Sequence, residues 1–350
     1  MNAFFTFLRV AVIVSLAFLL LVPQSVAGSA EEGTRIVFLS NRTGVSRSFD
    51  LFLLNISSLA ERNITADFPG LGITSASAPR LLSKRNSVVC FASGGKSLVE
   101  IPLGTGTVKV LAKVTQPSGQ LAIAPDEHAL LYSDRVGDKL QILEIDIERG
   151  SVRNLSSNSW NESEPSYSGD GKSITYVTDR DGSLSIALMA GDGGGQRILT
   201  NNFGDDRFPR LSPGGNQVVF SSSRSGRNEG QYDLYSIDTS GRNFEMLYSN
   251  RDYNTYPEFS PDGREILFVS SNLIRKVSRV LLFDRASDST TDLTLHLPFF
   301  SQNASFSDDG QAIVFEQNTI RDCEVMLYDR KTKSLQNLTR NPAWDCSPSF

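Results

Sequence analysis

Residues 256–294 read YPEFSPDGREILFVSSNLIRKVSRVLLFDRASDSTTDLT. The stretch opens on a short apolar step, Tyr256-Pro257-Glu258-Phe259. A Ser-Pro-Asp-Gly turn follows, then the alternating run Ile266-x-Phe268-x-Ser270. A polar turn leads to a second run ending at Phe283-Asp284, and a last short strand closes on Leu293-Thr294. Period-two alternation bounded by Gly, Asp and Pro is the signature of strands and tight turns. Asp-Gly suits a hairpin because glycine accepts positive φ without a steric penalty. Three more stretches align with this one: Glu164–Thr200, Phe208–Ser249 and Asn303–Thr339, with Ser-x-Asp-Gly (Ser-Pro-Gly-Gly in the second) at the turn.

Weaker copies lie upstream. Arg80–Ser93 places Ser83, Asn86, Val89 and Phe91 on the template, and Leu121–Ser133 places Ala124-Pro125-Asp126-Glu127 at the turn. A half-copy begins at Gly33 with Ile36-Val37-Phe38-Leu39-Ser40 and continues at Asp50-Leu51-Phe52. The turn position thus recurs at Gly33, Asn86, Glu127, Gly171, Gly215, Gly263 and Gly310, at intervals of 41 to 53 residues. Four strands in such a repeat make one propeller blade. The expected fold is all-β, a seven-bladed β-propeller. Six blades, the alternative, need the longest interval throughout. The chain stops at Cys346-Ser347-Pro348-Ser349-Phe350, which matches the start of a repeat, whereas the first copy begins at its turn. The C-terminal strand is therefore expected to join the N-terminal blade and remove the open edges of the ring.

Pro-x-Phe-Ser-Pro-Asp-Gly, followed by Ile-x-Phe-x-Ser and closed by Leu-Thr, resembles the TolB-like, WD-like β-propeller repeat. The resemblance runs over nearly all of residues 33–350, strongly in the last four copies and weakly in the first three. It implies a protein-interaction scaffold. The separate α/β domain that precedes the propeller in TolB has no counterpart between the N-terminal segment and the first strand, which implies a free-standing propeller.

The first 28 residues have a different character. Arg9 is their only charge, and Val10–Val22 is an unbroken run of apolar residues apart from Ser15. Ser25 and Ala27 fit the small-residue positions of a signal-peptidase site. The expected organisation is a signal peptide at 1–27, alternatively an uncleaved membrane anchor, then a short linker at 28–32 and one propeller domain at 33–350. The location implied is secreted or periplasmic. Seven Asn-x-Ser/Thr sequons occur, at Asn41, Asn55, Asn63, Asn154, Asn161, Asn303 and Asn337. They are glycan acceptors in a eukaryotic secretory pathway. Alternatively, those in the phase of Asn63-Ile-Thr, Asn154-Leu-Ser and Asn337-Leu-Thr reflect strand chemistry.

A net charge of −5 and a pI near 5.3 argue against a nucleic-acid partner read through a basic surface. Two histidines, His128 and His296, exclude a three-histidine zinc centre. Cys90, Cys323 and Cys346 permit at most one disulfide, Cys323–Cys346, with Cys90 buried and free. No Asp-x-Asp-x-Asp-Gly calcium loop, complete phosphate-binding loop or Gly-x-Ser-x-Gly elbow is present. No metal, cofactor or catalytic residue is expected.

The positive signal lies just before each Pro-x-Phe-Ser step, where aromatic residues alternate with charges. The candidate binding residues are Trp160, Glu162, Asp205, Asp206, Arg207, Asp252, Tyr253, Tyr256, Phe299, Trp344 and Asp345. Equal phase in a propeller means one face around the central opening. There the residues would take a protein or polysaccharide partner, unless the aromatics tuck between blades. The leading expectation is a non-catalytic scaffold. The alternative is a carbohydrate-active lyase or hydrolase using carboxylates in the same funnel.

Overall fold

The computed structural model describes residues 34–44, 49–201, 204–225, 231–319 and 321–350. The expected signal segment and linker lie outside the described residues. Among the described residues, no helix is long and apolar enough to cross a membrane. Residues from Gly33 to Phe350 form one unit.

The chain builds sheets of four antiparallel strands in strict sequence order. β1 (Arg35–Ser40), β2 (Asp50–Asn55) and β3 (Glu61–Asn63) begin the first. The second is β4 (Arg80–Leu82), β5 (Ser87–Ala92), β6 (Ser97–Pro102) and β7 (Lys109–Lys113). The third is β8 (Ser118–Ile123), β9 (Ala129–Val136), β10 (Lys139–Asp146) and β11 (Val152–Asn154). The fourth is β12 (Glu162–Tyr167), β13 (Ser173–Thr178), β14 (Ser185–Ala190) and β15 (Arg197–Ile198). The fifth is β16 (Asp206–Leu211), β17 (Gln217–Ser222), β18 (Asp233–Asp238) and β19 (Glu245–Tyr248). Next come β20 (Tyr253–Phe259), β21 (Glu265–Asn272), β22 (Val277–Asp284) and β23 (Ser289–Asp292), then β24 (Phe300–Phe306), β25 (Ala312–Asn318), β26 (Cys323–Asp329) and β27 (Ser334–Asn337). One parallel bridge, Ser278 to Phe300, joins these last two sets into a single sheet. The final strand, β28 (Asp345–Ser349), returns to pair antiparallel with β1, with Ser40 opposite Asp345 and Val37 opposite Ser349.

The repeat unit is visible in the packing. The second strand of each set carries an aromatic ring at one register position: Phe38, Phe91, Tyr132, Tyr176, Phe220, Phe268 and Phe315, each at most 4% exposed. These rings fill the space between neighbouring sheets. Ile36 and Phe38 of β1 pack with Val314, Val325 and Leu327 of β25 and β26, while Val37 and Leu39 pack with Val88 and Cys90 of β5. The first sheet therefore has a neighbour on each side.

Turn chemistry explains the Ser-x-Asp-Gly signature. Ser260 Oγ donates to Asp262 Oδ1 at 2.7 Å, and that oxygen also accepts from the Arg264 amide. Ser307 and Asp309 repeat the arrangement, with the glycines that follow at φ 73° and 66°. These hydrogen bonds hold the Asp262 and Asp309 carboxyls below the usual range, with the serine hydroxyl the largest cause. In the degenerate copies Asn86 and Glu127 adopt the same left-handed conformation, at φ 50° and 60°. The closing Leu-Thr step has its own bond. Thr294 Oγ1 accepts from the Val280 amide, fourteen residues back, and Thr339 Oγ1 likewise from Val325. The Asn154 and Asn337 side chains each accept from two amides, those two and three residues further on. Strand-end capping accounts for these sequons without a glycan.

Cys323 is the first residue of β26, and Cys346 lies inside β28. Their sulfurs and a carboxylate oxygen of Glu316 all lie within 4.8 Å of one another. Both thiols are free. The neighbouring Cys346 and burial push the Cys323 thiol far above its ordinary pKa, and burial pushes Cys90 up to about 12. The trio is poorly suited to a metal, because a structural zinc site needs four ligands and both Glu316 oxygens are engaged. Its Oε1 accepts from Gln302 and Asn318, and its Oε2 from the Ser347 amide at 2.7 Å. Mild oxidation of the folded chain should therefore join Cys323 to Cys346. Thiol titration in denaturant should then fall from three groups to one, Cys90; three thiols after oxidation would contradict this.

Candidate functional site

The eleven sequence-derived residues divide by burial. Asp206 and Asp345 are fully buried. Each opens the first strand of a set and takes an arginine that follows the second strand. Arg224 Nη2 meets Asp206 Oδ2 at 2.8 Å, and Arg42 Nη2 meets Asp345 Oδ2 at 2.8 Å. Each guanidinium also donates to a strand-end hydroxyl, Ser222 or Ser40, and lies over aromatic rings, Phe220 and Phe244 for Arg224, Phe38 and Phe52 for Arg42. These two carboxylates are buried, and each ties the first strand of its sheet to the segment after the second.

Glu162 occupies the same position in the fourth sheet and is 2% exposed, but among the described residues no arginine lies within ion-pair distance of it. Asn158 and Thr178 donate to its Oε1. Its Oε2 has no hydrogen-bond partner. Burial is the main cause that raises its pKa to about 7. It lines a cavity of about 220 Å³ with Trp160, Tyr176 and Arg180, and Trp160 stays 40% exposed. A carboxyl raised in the folded state favours folding at low pH, and that contribution is lost as pH rises from the unfolded value near 4.5 through 7. Glu162→Gln should match the wild type at pH 4 and exceed it by about 3 kcal/mol at pH 8. Urea unfolding at both pH values checks this; a difference that stays flat between them would contradict it.

Asp205, Arg207, Tyr253 and Tyr256 gather across β16 and β20. Arg207 Nη2 meets Glu164 Oε1 at 2.6 Å, and the Arg207 Cζ atom lies 5.2 Å from the Phe208 ring centre. Phe208 packs on Tyr256 at 4.2 Å, and Tyr253 on Tyr232 at 4.8 Å. Tyr256 remains 48% exposed. Asp205 accepts from the Leu184 amide, and Asp252 from Asn272. Phe299 and Trp344 are 38% and 40% exposed and immediately precede β24 and β28, with the Trp344 amide donating to Asn41 Oδ1. The eleven side chains therefore differ in burial and role: some accept hydrogen bonds at strand ends, some pair with an arginine within their sheet, and Trp160, Tyr256, Phe299 and Trp344 are exposed.

One cavity of about 700 Å³ is lined by residues of β4, β8, β12, β16, β20, β24 and β28, the first strands of successive sets. Within those strands, one register position supplies Arg80, Ala122, Ser166, Arg210, Glu258, Ser305 and Ser349 to its wall. This is the x of the Pro-x-Phe-Ser step. Three of the seven are charged, although the flanking residues of the step are apolar. That contrast is the sequence signal that marks Arg80, Arg210 and Glu258, none of which is among the eleven candidate residues. Glu164, Phe208 and Tyr232 were missed as well, because each gains its role only from a partner on another strand.

Arg80 Nη2 donates to Gln120 Oε1 at 2.9 Å, and Arg210 Nη2 reaches the same oxygen at 3.5 Å. Burial, then the charge of Arg210, pull the Arg80 pKa below its ordinary value. Arg210 is lowered chiefly by burial, against the opposing charge of Glu258. Burial raises the Glu258 carboxyl, opposed by Arg210, by the Phe306 amide that donates to it at 3.4 Å, and by Arg80.

The family model for the TolB beta propeller domain matches residues 12–231. The chain belongs to that family. Its fold is similar to a putative TolB from Agrobacterium tumefaciens at 23% identity, covering 74% of this chain and 89% of that one, TM-score 0.54. TolB from Acinetobacter baumannii matches at 18% identity, 87% and 80% coverage and TM-score 0.55. An oligogalacturonate lyase from Vibrio parahaemolyticus matches at 13% identity, 82% and 85% coverage and TM-score 0.65. No match to a curated protein was found. At these identities the likeness is one of fold.

Proposed function

We propose that this chain is an extracytoplasmic, seven-bladed propeller, closed by β28 on β1, that acts as a binding scaffold for a protein or other ligand. The observation that supports this most is the single cavity reached by the first strand of every set, with the half-exposed Tyr256 on Phe208 in its wall region. Exposed aromatic rings beside a polar cavity are the usual anchors of recognition. In this reading Tyr256 and Phe208 receive the partner, with Trp160, Phe299 and Trp344 as outlying contacts. The N-terminal segment, read as a signal peptide, supports export; an uncleaved anchor would leave the propeller on the same side of the membrane. The experiment is capture from the extracytoplasmic fraction with the immobilised chain, wild type against Tyr256→Ala/Phe208→Ala. A captured species lost in the double variant, at unchanged melting temperature, supports the reading. Equal capture by both would move the site elsewhere.

A second reading, a carbohydrate-active propeller, has one observation in its favour: Glu258 and Asp308 line the same cavity. Release of unsaturated or shortened oligosaccharides from polygalacturonate, abolished by Glu258→Gln, would favour it over the scaffold.

A further inference from the structure

We propose that the cavity contains a subsite for a single carboxylate group, formed by Arg80 and Arg210 with Gln120 between them. It rests on the cavity being a binding site, and it specifies the ligand chemistry. Arginine pairs in proteins are ordinarily neutralised, because a desolvated guanidinium is costly without an acceptor. Here the two guanidiniums come from sets separated by two others, and those two place only Ala122 and Ser166 at the shared register position. Small side chains there leave room for the arginines to converge. Their common acceptor is neutral: the side-chain oxygen of Gln120. Neither has a carboxylate within 4 Å among the described residues.

The charge balance selects the ligand. At this level of the cavity the wall carries two arginines and one glutamate, Glu258. The other acidic wall residue, Asp308, is exposed in the turn after β24. Glu164 is already engaged by Arg207. One unit of positive charge is left for a ligand. A monoanion meets it; a doubly charged phosphate would overshoot it beside Glu258. Guanidinium and carboxylate also match in geometry, two parallel N–H groups to two oxygens. Ser305, whose hydroxyl has no hydrogen-bond partner, lines the same wall as a further donor.

The probes are an acetylated dialanine acid and D-galacturonate, each paired with its neutral form, the amide and the methyl ester, with inorganic phosphate as a third arm. Binding to the full chain is followed by calorimetry and by thermal shift. One acid should bind and raise the melting temperature, its neutral partner should bind at least tenfold more weakly, and the gain should vanish in Arg80→Gln/Arg210→Gln. Whichever acid binds identifies the source of the carboxylate. Equal binding of acid and neutral form, no binding of either acid at tens of millimolar, or tighter binding of phosphate overturns the proposal. If the double variant fails to fold, Arg210→Lys serves instead, since a point charge lacks the paired donors and should still weaken the acid selectively. Tyr256→Ala/Phe208→Ala keeps the arginines, so unchanged partner capture in that variant, with acid binding still lost in Arg80→Gln/Arg210→Gln, would overturn the scaffold reading alone.

Discussion

Removing Asp345–Phe350 is expected to lower the melting temperature by more than 10 °C or to cause aggregation. Among the described residues, β28 is the one strand paired with β1 on the side away from β2, and its loss bares that row of amides and carbonyls. An exposed edge of this kind invites pairing with another chain. The deletion also strips Arg42 of Asp345, leaving a largely buried guanidinium without its buried carboxylate. Phe350 goes with it, from the cluster that joins the first sheet to β25 and β26. Each loss on its own costs a few kcal/mol, and together they rival the net stability of a domain. Calorimetry of the truncated and full chains decides the matter. An unchanged melting temperature would mean that the fold does not depend on its last strand.

Asp206→Ala should destabilise by about 3–5 kcal/mol, the cost of breaking a buried ion pair from one side. Arg224 would remain among Phe220, Tyr235 and Phe244 with its main acceptor gone. Asp205→Ala, one residue away, removes a part-buried side chain that accepts one amide hydrogen bond, so it should cost about 1 kcal/mol. Two neighbouring aspartates of similar sequence context thus give expected losses of different size, separable by denaturant unfolding. Equal losses would show that the arginine finds another partner.

The comparison of Asp205 with Asp206 also shows where sequence reading stops. Alternation and Ser-x-Asp-Gly turns locate strands because they depend on residues a few positions apart: side chains alternate across a strand, and a tight turn needs positive φ at a fixed place. The all-β repeat, its phase and the pairing of residues 345–349 with the first strand were therefore legible, as was the aromatic at Phe268 and its equivalents. Which charged residues face water was not. Asp206, Asp345 and Glu162 share a phase with exposed tryptophans, and only the arrival of Arg224 and Arg42 from another strand, or its failure at Glu162, settles their state. Arg80, Gln120 and Arg210 lie 40 and 90 residues apart and meet at one oxygen across a cavity. Local pattern determined the strands of this protein. The tertiary structure alone decided which of its charges are paired, because pairing depends on distances between chain segments that no local pattern encodes.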